Sequence, residues 1–318
     1  MYLAVASKCS LADEAKYQSS LSKALSECVG VQPQVEAIRK ARAEMYLDVA
    51  SKCSLVDEKQ YQSSLGKALD ECADIKPKVE EIRKTRAERH LAVASKCTLD
   101  NEVQYQSSLG KALSECASIK PQVEAIRKSR AEMHLAAAAK CTLDNEVQYQ
   151  SSLGKALSEC AGVKPQVDVI RKARAEMHLA TAAKCALASE NKYKSSLEKS
   201  LSEWPGAQPK VEAIRKDRAR MYLAVADKCS LADEDQYQSI LKKALEECAG
   251  VKFETEAMRK ARAEQFLSWA KDYAEKGDQA NCEANLQKAL DERGDIGPKV
   301  EKARAEMYLA LASKWSLA

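Results

Sequence analysis

The chain has 318 residues, of which 31% are charged, 45% hydrophobic and only 5% aromatic, and its net charge is +4. Charges of both signs alternate closely and no apolar run approaches the roughly 18 residues of a membrane span, which argues against a nucleic-acid partner and against a membrane one. The opening MYLAVASKCSLADE lacks the basic and apolar regions of a signal peptide, and the dominance of Ala, Leu, Lys, Glu, Ser and Arg is the profile of a helical protein.

Repeats begin at Met1, Met45, Arg89, Met133, Met177 and Met221, each 44 residues after the last; a seventh spans 265–306 and has 42. The third and fourth differ at only eight of 44 positions, and Met307–Ala318 copies the first twelve residues. One such unit cannot bury its own apolar face, whereas stacked units share a continuous core, so residues 1–318 are expected to form one elongated repeat domain.

The first complete helix is expected over Pro33–Cys53, which has no Gly and no internal Pro. Pro33 suits the first turn, where its missing N–H is not needed. Val35, Ile38, Met45, Tyr46, Val49 and Cys53 form a stripe at helical spacing. A shorter second helix follows from about Asp57 to Cys72, with Tyr61, Leu65, Ala68, Leu69 and Cys72 on one side and a capping-box spacing between Ser54 and Asp57. Gly30, Gly162, Gly206 and Gly250 follow the second helices and precede an apolar residue, which predicts left-handed Schellman-type caps. Gly66, Gly110 and Gly154 lie inside second helices at a position that also takes Ser22, Glu198 and Lys242, hence an exposed one.

The seventh unit carries LSWAKDYAEKGDQANCEANLQKALDE, with Ala270, Tyr273, Gly277-Asp278 and Lys288-Ala289-Leu290 at spacings that resemble the tetratricopeptide repeat. The other units are similar but altered. Ala6, Leu21 and Ala24 fall at the small, large and second small positions, and Tyr2 or His90 at the early aromatic one. Cys9 stands where the family usually has an aromatic and Tyr17 where it usually has Ala, which reads as a size exchange that keeps volume. The unit is also about ten residues longer than the family's. The resemblance implies an all-α, right-handed α-solenoid of stacked antiparallel helix pairs, and a non-enzymatic scaffold that binds a protein or peptide on its concave, first-helix face. By that resemblance the binding positions are Glu44, Leu47, Ser51 and Ser54, with Glu88, Ser95 and Thr98 one unit on. The alternative is a structural spacer or filament unit with head-to-tail self-association.

Eleven of the twelve cysteines recur at two repeat positions, with Cys282 elsewhere and Trp204 and Trp315 as replacements. Cys53 and Cys72 would lie at opposite ends of a hairpin, and equivalent cysteines one helix spacing apart, about 8–10 Å, beyond disulfide reach. Buried structural thiols in a reducing, cytoplasmic compartment are therefore expected. His90, His134 and His178 share a position with Tyr2, Tyr46, Tyr222 and Phe266, so a half-buried ring is expected there rather than a metal ligand. No metal-ligand cluster, cofactor loop or catalytic constellation stands out, and neither cofactor nor enzymatic activity is expected. Arg42 and Glu27 recur through the chain, as at Arg304 and Glu292. Recent duplication, packing of the arginine stem with its head reaching outward, and a ladder that reads a partner all account for this. Glu27 with Arg39, and Glu36 with Lys40, are spaced to pair.

Overall fold

A computed structural model describes residues 1–315, so residues 316–318 of the copied fragment lie outside the described residues, as does the Trp315 side chain. The described chain is all helical, without strands. Its α-helices are α1 (Tyr2–Ala6), α2 (Glu14–Glu27), α3 (Gln32–Lys52), α4 (Glu58–Glu71), α5 (Lys76–Ser95), α6 (Glu102–Glu115), α7 (Lys120–Ala139), α8 (Glu146–Glu159), α9 (Lys164–Ala183), α10 (Glu190–Glu203), α11 (Gln208–Ala226), α12 (Glu234–Glu247), α13 (Lys252–Lys276), α14 (Gln279–Glu292) and α15 (Gly297–Trp315). Odd-numbered helices are the first of each pair and even-numbered helices the second.

The chain divides into two compact units, Met1–Val167 and Asp168–Ala318, with the boundary inside α9. In the first unit α1 packs on α2, α3 on α4, α5 on α6 and α7 on α8, while α1, α3, α5 and α7 lie side by side. In the second, α11 packs on α12, α13 on α14, and α15 against both α13 and α14. Consecutive helix pairs packed in this way are the arrangement of an all-α solenoid.

Within a pair, the apolar layer comes from one stripe of each helix. Ala43, Tyr46, Leu47, Ala50 and Cys53 meet Tyr61, Leu65 and Ala68, and Ile75 and Val79 of the next unit close the layer. The buried stripe of α3 keeps Cys53, with Ile38 and Val49 half-buried, but it extends to one side of the expected one. Val35 and Tyr46 are buried, but Met45 is 40% exposed, and Ala43, Leu47 and Ala50 take the core positions. The small alanines let the two helix backbones approach, so the helix face toward its partner is marked by Ala rather than by Met.

The turn between units is not the Schellman cap expected at Gly30, Gly162, Gly206 and Gly250. Cys28 ends α2 in an extended conformation, its N–H still bonded to the Ala24 carbonyl at 3.1 Å. Val29–Val31 then makes one 3₁₀ turn that closes at Cys28 O, 3.3 Å from the Val31 N–H. Every residue of this turn has negative φ, which is why Asp74 and Ser118 fit where Gly stands elsewhere. The left-handed glycine among the described residues is Gly277, φ 79°, at the end of α13. There the Gly277 N–H reaches Ala274 O and the Asp278 N–H reaches Tyr273 O, a Schellman motif inside the seventh hairpin. The first-to-second turn of earlier units is held differently. Asp13 reaches back to accept from the Ser10 N–H at 3.0 Å and the Ser10 hydroxyl at 2.7 Å, half of the expected box, and no cap bond runs forward to the helix.

None of the twelve cysteines forms a disulfide. The two repeat positions nevertheless differ. Cys53, Cys97, Cys141 and Cys185 are buried, each thiol donating to the carbonyl four residues earlier, whereas Cys28 is exposed and Cys72, Cys116, Cys160 and Cys248 are half-buried. Of the two repeat positions only the first supplies buried thiols, with Cys9 and Cys229 half-buried there, because the second sits on the extended residue that leaves the helix.

Candidate functional site

The recurring Arg, Tyr and Glu converge on one buried cluster that links successive repeats. The Arg42 side chain is 3% exposed, so its head does not reach outward. Its guanidinium lies 4.1 Å from the centre of the Tyr17 ring. It donates to Ser10 O at 3.1 Å, to Leu11 O at 3.4 Å and to Glu14 at 2.7 Å, while its Nε lies 3.6 Å from Glu71. Tyr17 Oη in turn donates to Glu71 at 2.9 Å. Arg42 thus satisfies the loop carbonyls of the preceding hairpin, and Glu71 ties its own repeat back to that hairpin's second helix. A buried ion pair is retained at little cost only when hydrogen bonds satisfy the remaining donors and acceptors, as the loop carbonyls do here.

The same set recurs as Tyr61, Arg86, Glu58 and Glu115, and as Tyr105, Arg130, Glu102 and Glu159. In the second unit Arg218 lies over Tyr193, which donates to Glu247. Burial, then the glutamate that accepts its proton, raises each of these tyrosines well above the ordinary phenol range. Glu14 and Glu58 are held below the ordinary carboxylate range, first by Gln18 and Gln62, then by the arginine. His90 and His134 are buried at the Tyr46 position, and burial followed by the neighbouring arginine lowers both, so the rings are neutral at pH 7. Glu27 is exposed and does not pair across the turn with Arg39. Glu36 accepts from Gln32 at 2.9 Å rather than pairing with Lys40.

The pattern changes at the last joints. Arg262 bridges Glu234 at 3.0 Å and Glu292 at 3.2 Å, but Tyr237 Oη and Glu292 Oε2 are both buried without a partner. Burial, and next Glu234, push Glu292 up to about 7. One repeat further, Arg304 is not the structural equivalent of Arg42. It bonds Glu283, 21 residues earlier, as Arg259 bonds Gln238. Met307 is buried in the arginine's place beside Cys282, which takes the tyrosine's place. The seventh unit gains a residue in its hairpin turn and loses three in α15, which yields its 42-residue length.

The resemblance-based positions are scattered by the structure. Glu44 is exposed and pairs with Lys78 at 2.5 Å. Leu47 is buried in the hairpin core at 5% exposure and is unavailable to a partner, because the Ala43–Leu47–Ala50 edge faces α4. Ser54 and Thr98 are exposed, but their carbonyls serve the repeat seam through Arg86 and Arg130. Glu88 and Ser95 do come together, with Leu91 and Ala92 of α5 and Gln122, Ala125 and Ile126 of α7, around an open groove of about 380 Å³. Ser51 lines a smaller cavity of about 190 Å³ with Ala50, Ile82, Thr85 and Arg89. Met45, Met133, Met177 and Met221 add half-exposed thioethers along the first helices.

Among the described residues no group of three or more His, Cys, Asp or Glu is placed to hold a metal ion, and no helix is long and apolar enough to cross a membrane. The fold and its buried seams define a helical-repeat protein built from stacked helix pairs. Comparison with known proteins finds no matching family model, no matching curated protein and no matching solved structure.

Proposed function

We propose that the chain is a non-enzymatic protein-binding scaffold of the tetratricopeptide-like class, taking a protein or peptide along its first-helix face. The observation that carries this reading is the open groove between α5 and α7, where Glu88 and Ser95 flank Leu91, Ala92, Ala125 and Ile126. It combines an apolar floor with a few polar groups at the rim, the composition of a peptide-binding groove. The half-exposed methionines of neighbouring first helices suit adaptable packing against a partner. The left-handed Gly277 turn and the buried Ala270 and Ala289 of the seventh unit support the family resemblance. Thiols left unpaired suit a reducing compartment such as the cytoplasm.

The test uses the exposed groove positions Ala92 and Ala125. A protein captured from the native source by the wild-type chain, and lost with Ala92→Arg/Ala125→Arg at unchanged helicity, supports the reading. Undiminished capture by that variant sinks it. The near-identity of the third and fourth repeats favours a second reading, a spacer that associates head to tail. Light scattering over a concentration series decides it, since a strict monomer at high concentration rules out self-association.

A further inference from the structure

The second helices leave clefts between successive repeats, on other residues than the groove above. One, of about 510 Å³, is lined by α10, α11 and α12, including Tyr193, Lys194, Arg215, Tyr222, Lys243 and Glu247. Another, of about 260 Å³, is lined by Glu14, Gln18, Arg39, Tyr46, Lys67, Asp70 and Glu71. The repeat places Arg83, His90 and Lys111, then Arg127, His134 and Lys155, at the corresponding positions.

In the clefts of Arg83 and Arg127 the acidic side chains are already engaged. Glu58 accepts from Arg86 at 2.8 Å and Gln62 at 2.8 Å, and Glu115 accepts from Tyr61 at 3.0 Å. The cations are not. Arg83 and Arg127 are half-buried, the Nε of each is buried without a hydrogen-bond partner, and neither guanidinium pairs with a carboxylate among the described residues. Lys111 and Lys155 are exposed and likewise without an ion-pair partner, yet both lie close enough to the buried histidines to lower them. Counting Glu58, Glu115, Arg86, Arg83 and Lys111, with His90 neutral, the cleft carries one net positive charge. A half-buried guanidinium with no carboxylate partner, next to an exposed ammonium, is a receptor for a carboxylate.

We propose that the two clefts of Arg83–Lys111 and Arg127–Lys155 dock an acidic polypeptide segment, each taking a side-chain carboxylate between its guanidinium and its ammonium. A carboxylate is favoured over a phosphate chain because a single excess charge, flanked by Glu58 and Glu115, matches a monoanion. The aromatic rings here, Tyr61 and Tyr105, are fully buried and offer no face on which bases could stack.

The test is the binding of a fluorescent deca-glutamate peptide by the full chain at about 20 and 150 mM salt. The expected result is saturable binding that weakens with salt and falls at least tenfold in Lys111→Gln/Lys155→Gln. These lysines are exposed, so that variant keeps its fold, and circular dichroism verifies it; Arg83→Gln/Arg127→Gln is the second variant. Lys84→Gln/Lys128→Gln removes the same charge from exposed positions on the first helices and is expected to bind within twofold of wild type. Binding is also expected to raise the NMR titration midpoints of His90 and His134, which face Lys111 and Lys155. Equal losses in both lysine pairs, tighter binding of a single-stranded oligonucleotide, absence of binding at low salt, or unmoved histidines would each overturn the proposal. The peptide arm is independent of the groove variant Ala92→Arg/Ala125→Arg, so the two readings fail separately.

Discussion

Arg130 is the residue on which a repeat seam turns. Its side chain is 1% exposed and satisfies Thr98 O, Leu99 O and Glu102 at once. Arg130→Met alone is expected to cost about 3–5 kcal/mol, because it strands buried acceptors and an unpaired carboxylate. The chain itself shows the compensated alternative, with Gln279, Cys282 and Met307 in the places of glutamate, tyrosine and arginine. Arg130→Met with Glu102→Gln and Tyr105→Cys is therefore expected to recover part of that loss, and urea unfolding of the single and triple variants measures it. No recovery would show that the seam depends on the ion pair itself. Glu292 supplies a pH signature of opposite sign to an ordinary surface carboxylate. Folded, it gives up its proton near pH 7; unfolded, near 4.5. Ionisation thus costs the folded state nothing below 4.5, progressively more between 4.5 and 7, and a constant amount above. Glu292→Gln is expected to match wild type in thermal stability at pH 4 and to exceed it at pH 8. Arg262 keeps Glu234 and the Ser230 carbonyl in that variant, so it is not left unpaired. A variant less stable than wild type at pH 8 would refute the assignment.

At the scale of elements, glycines of three kinds predict three outcomes. Gly66, Gly110 and Gly154 lie in exposed helix interiors with nothing within 4 Å of an added Cβ. Converting all three to Ala is expected to stabilise the chain by roughly 0.5–1 kcal/mol each and to raise the melting temperature. Gly277→Ala is expected to cost about 1 kcal/mol or more, since its φ of 79° is strained for any side chain. Gly30→Ala meets only Cys28 Sγ at 3.8 Å and is expected to be close to neutral, which separates the 3₁₀ turn from a left-handed cap. Helix existence and bounds were legible because the 44-residue period repeats each hairpin: Pro33–Cys53 against Gln32–Lys52, and Asp57–Cys72 against Glu58–Glu71. The turn chemistry was not. Glycine followed by an apolar residue is compatible with both a Schellman cap and a 3₁₀ turn, and only Asp74 and Ser118 at the same place hinted at the second. One edge of the buried face of α3 was missed for a similar reason: Ala43 and Ala50 carry little hydropathic signal yet define the contact, while Met45 carries much and stays half-exposed.

At the scale of the whole molecule, the repeat period showed where residues recur but not why. Arg42 and Glu71 lie 29 positions apart in sequence and meet through Tyr17 of the repeat before, so no window along the chain contains the cluster. Tyr17 was legible as a size partner of Cys9, and the two do share a core. Its role as a platform for Arg42 required the next repeat in place. Of the candidate site, Glu88 and Ser95 were brought to one groove, while Leu47 was lost to the core, because a row chosen beside a stripe inherits any error in the stripe. The nearest-neighbour character of these contacts has a direct consequence. Tyr, Arg and both Glu positions of a seam come from two adjacent repeats only, so removing one whole repeat leaves each seam supplied. Deletion of residues 89–132 joins the second repeat to the fourth, and Tyr61 then faces Glu159 instead of Glu115 with Arg86 between them. The shortened chain is expected to keep its helicity per residue by circular dichroism and to unfold within a few degrees of the parent. A deletion of 40 residues from the same point, 89–128, breaks the 44-residue phase and is expected to lose cooperative unfolding. Equal behaviour of the two deletions would show that the buried Arg–Tyr–Glu seams do not set the register between repeats.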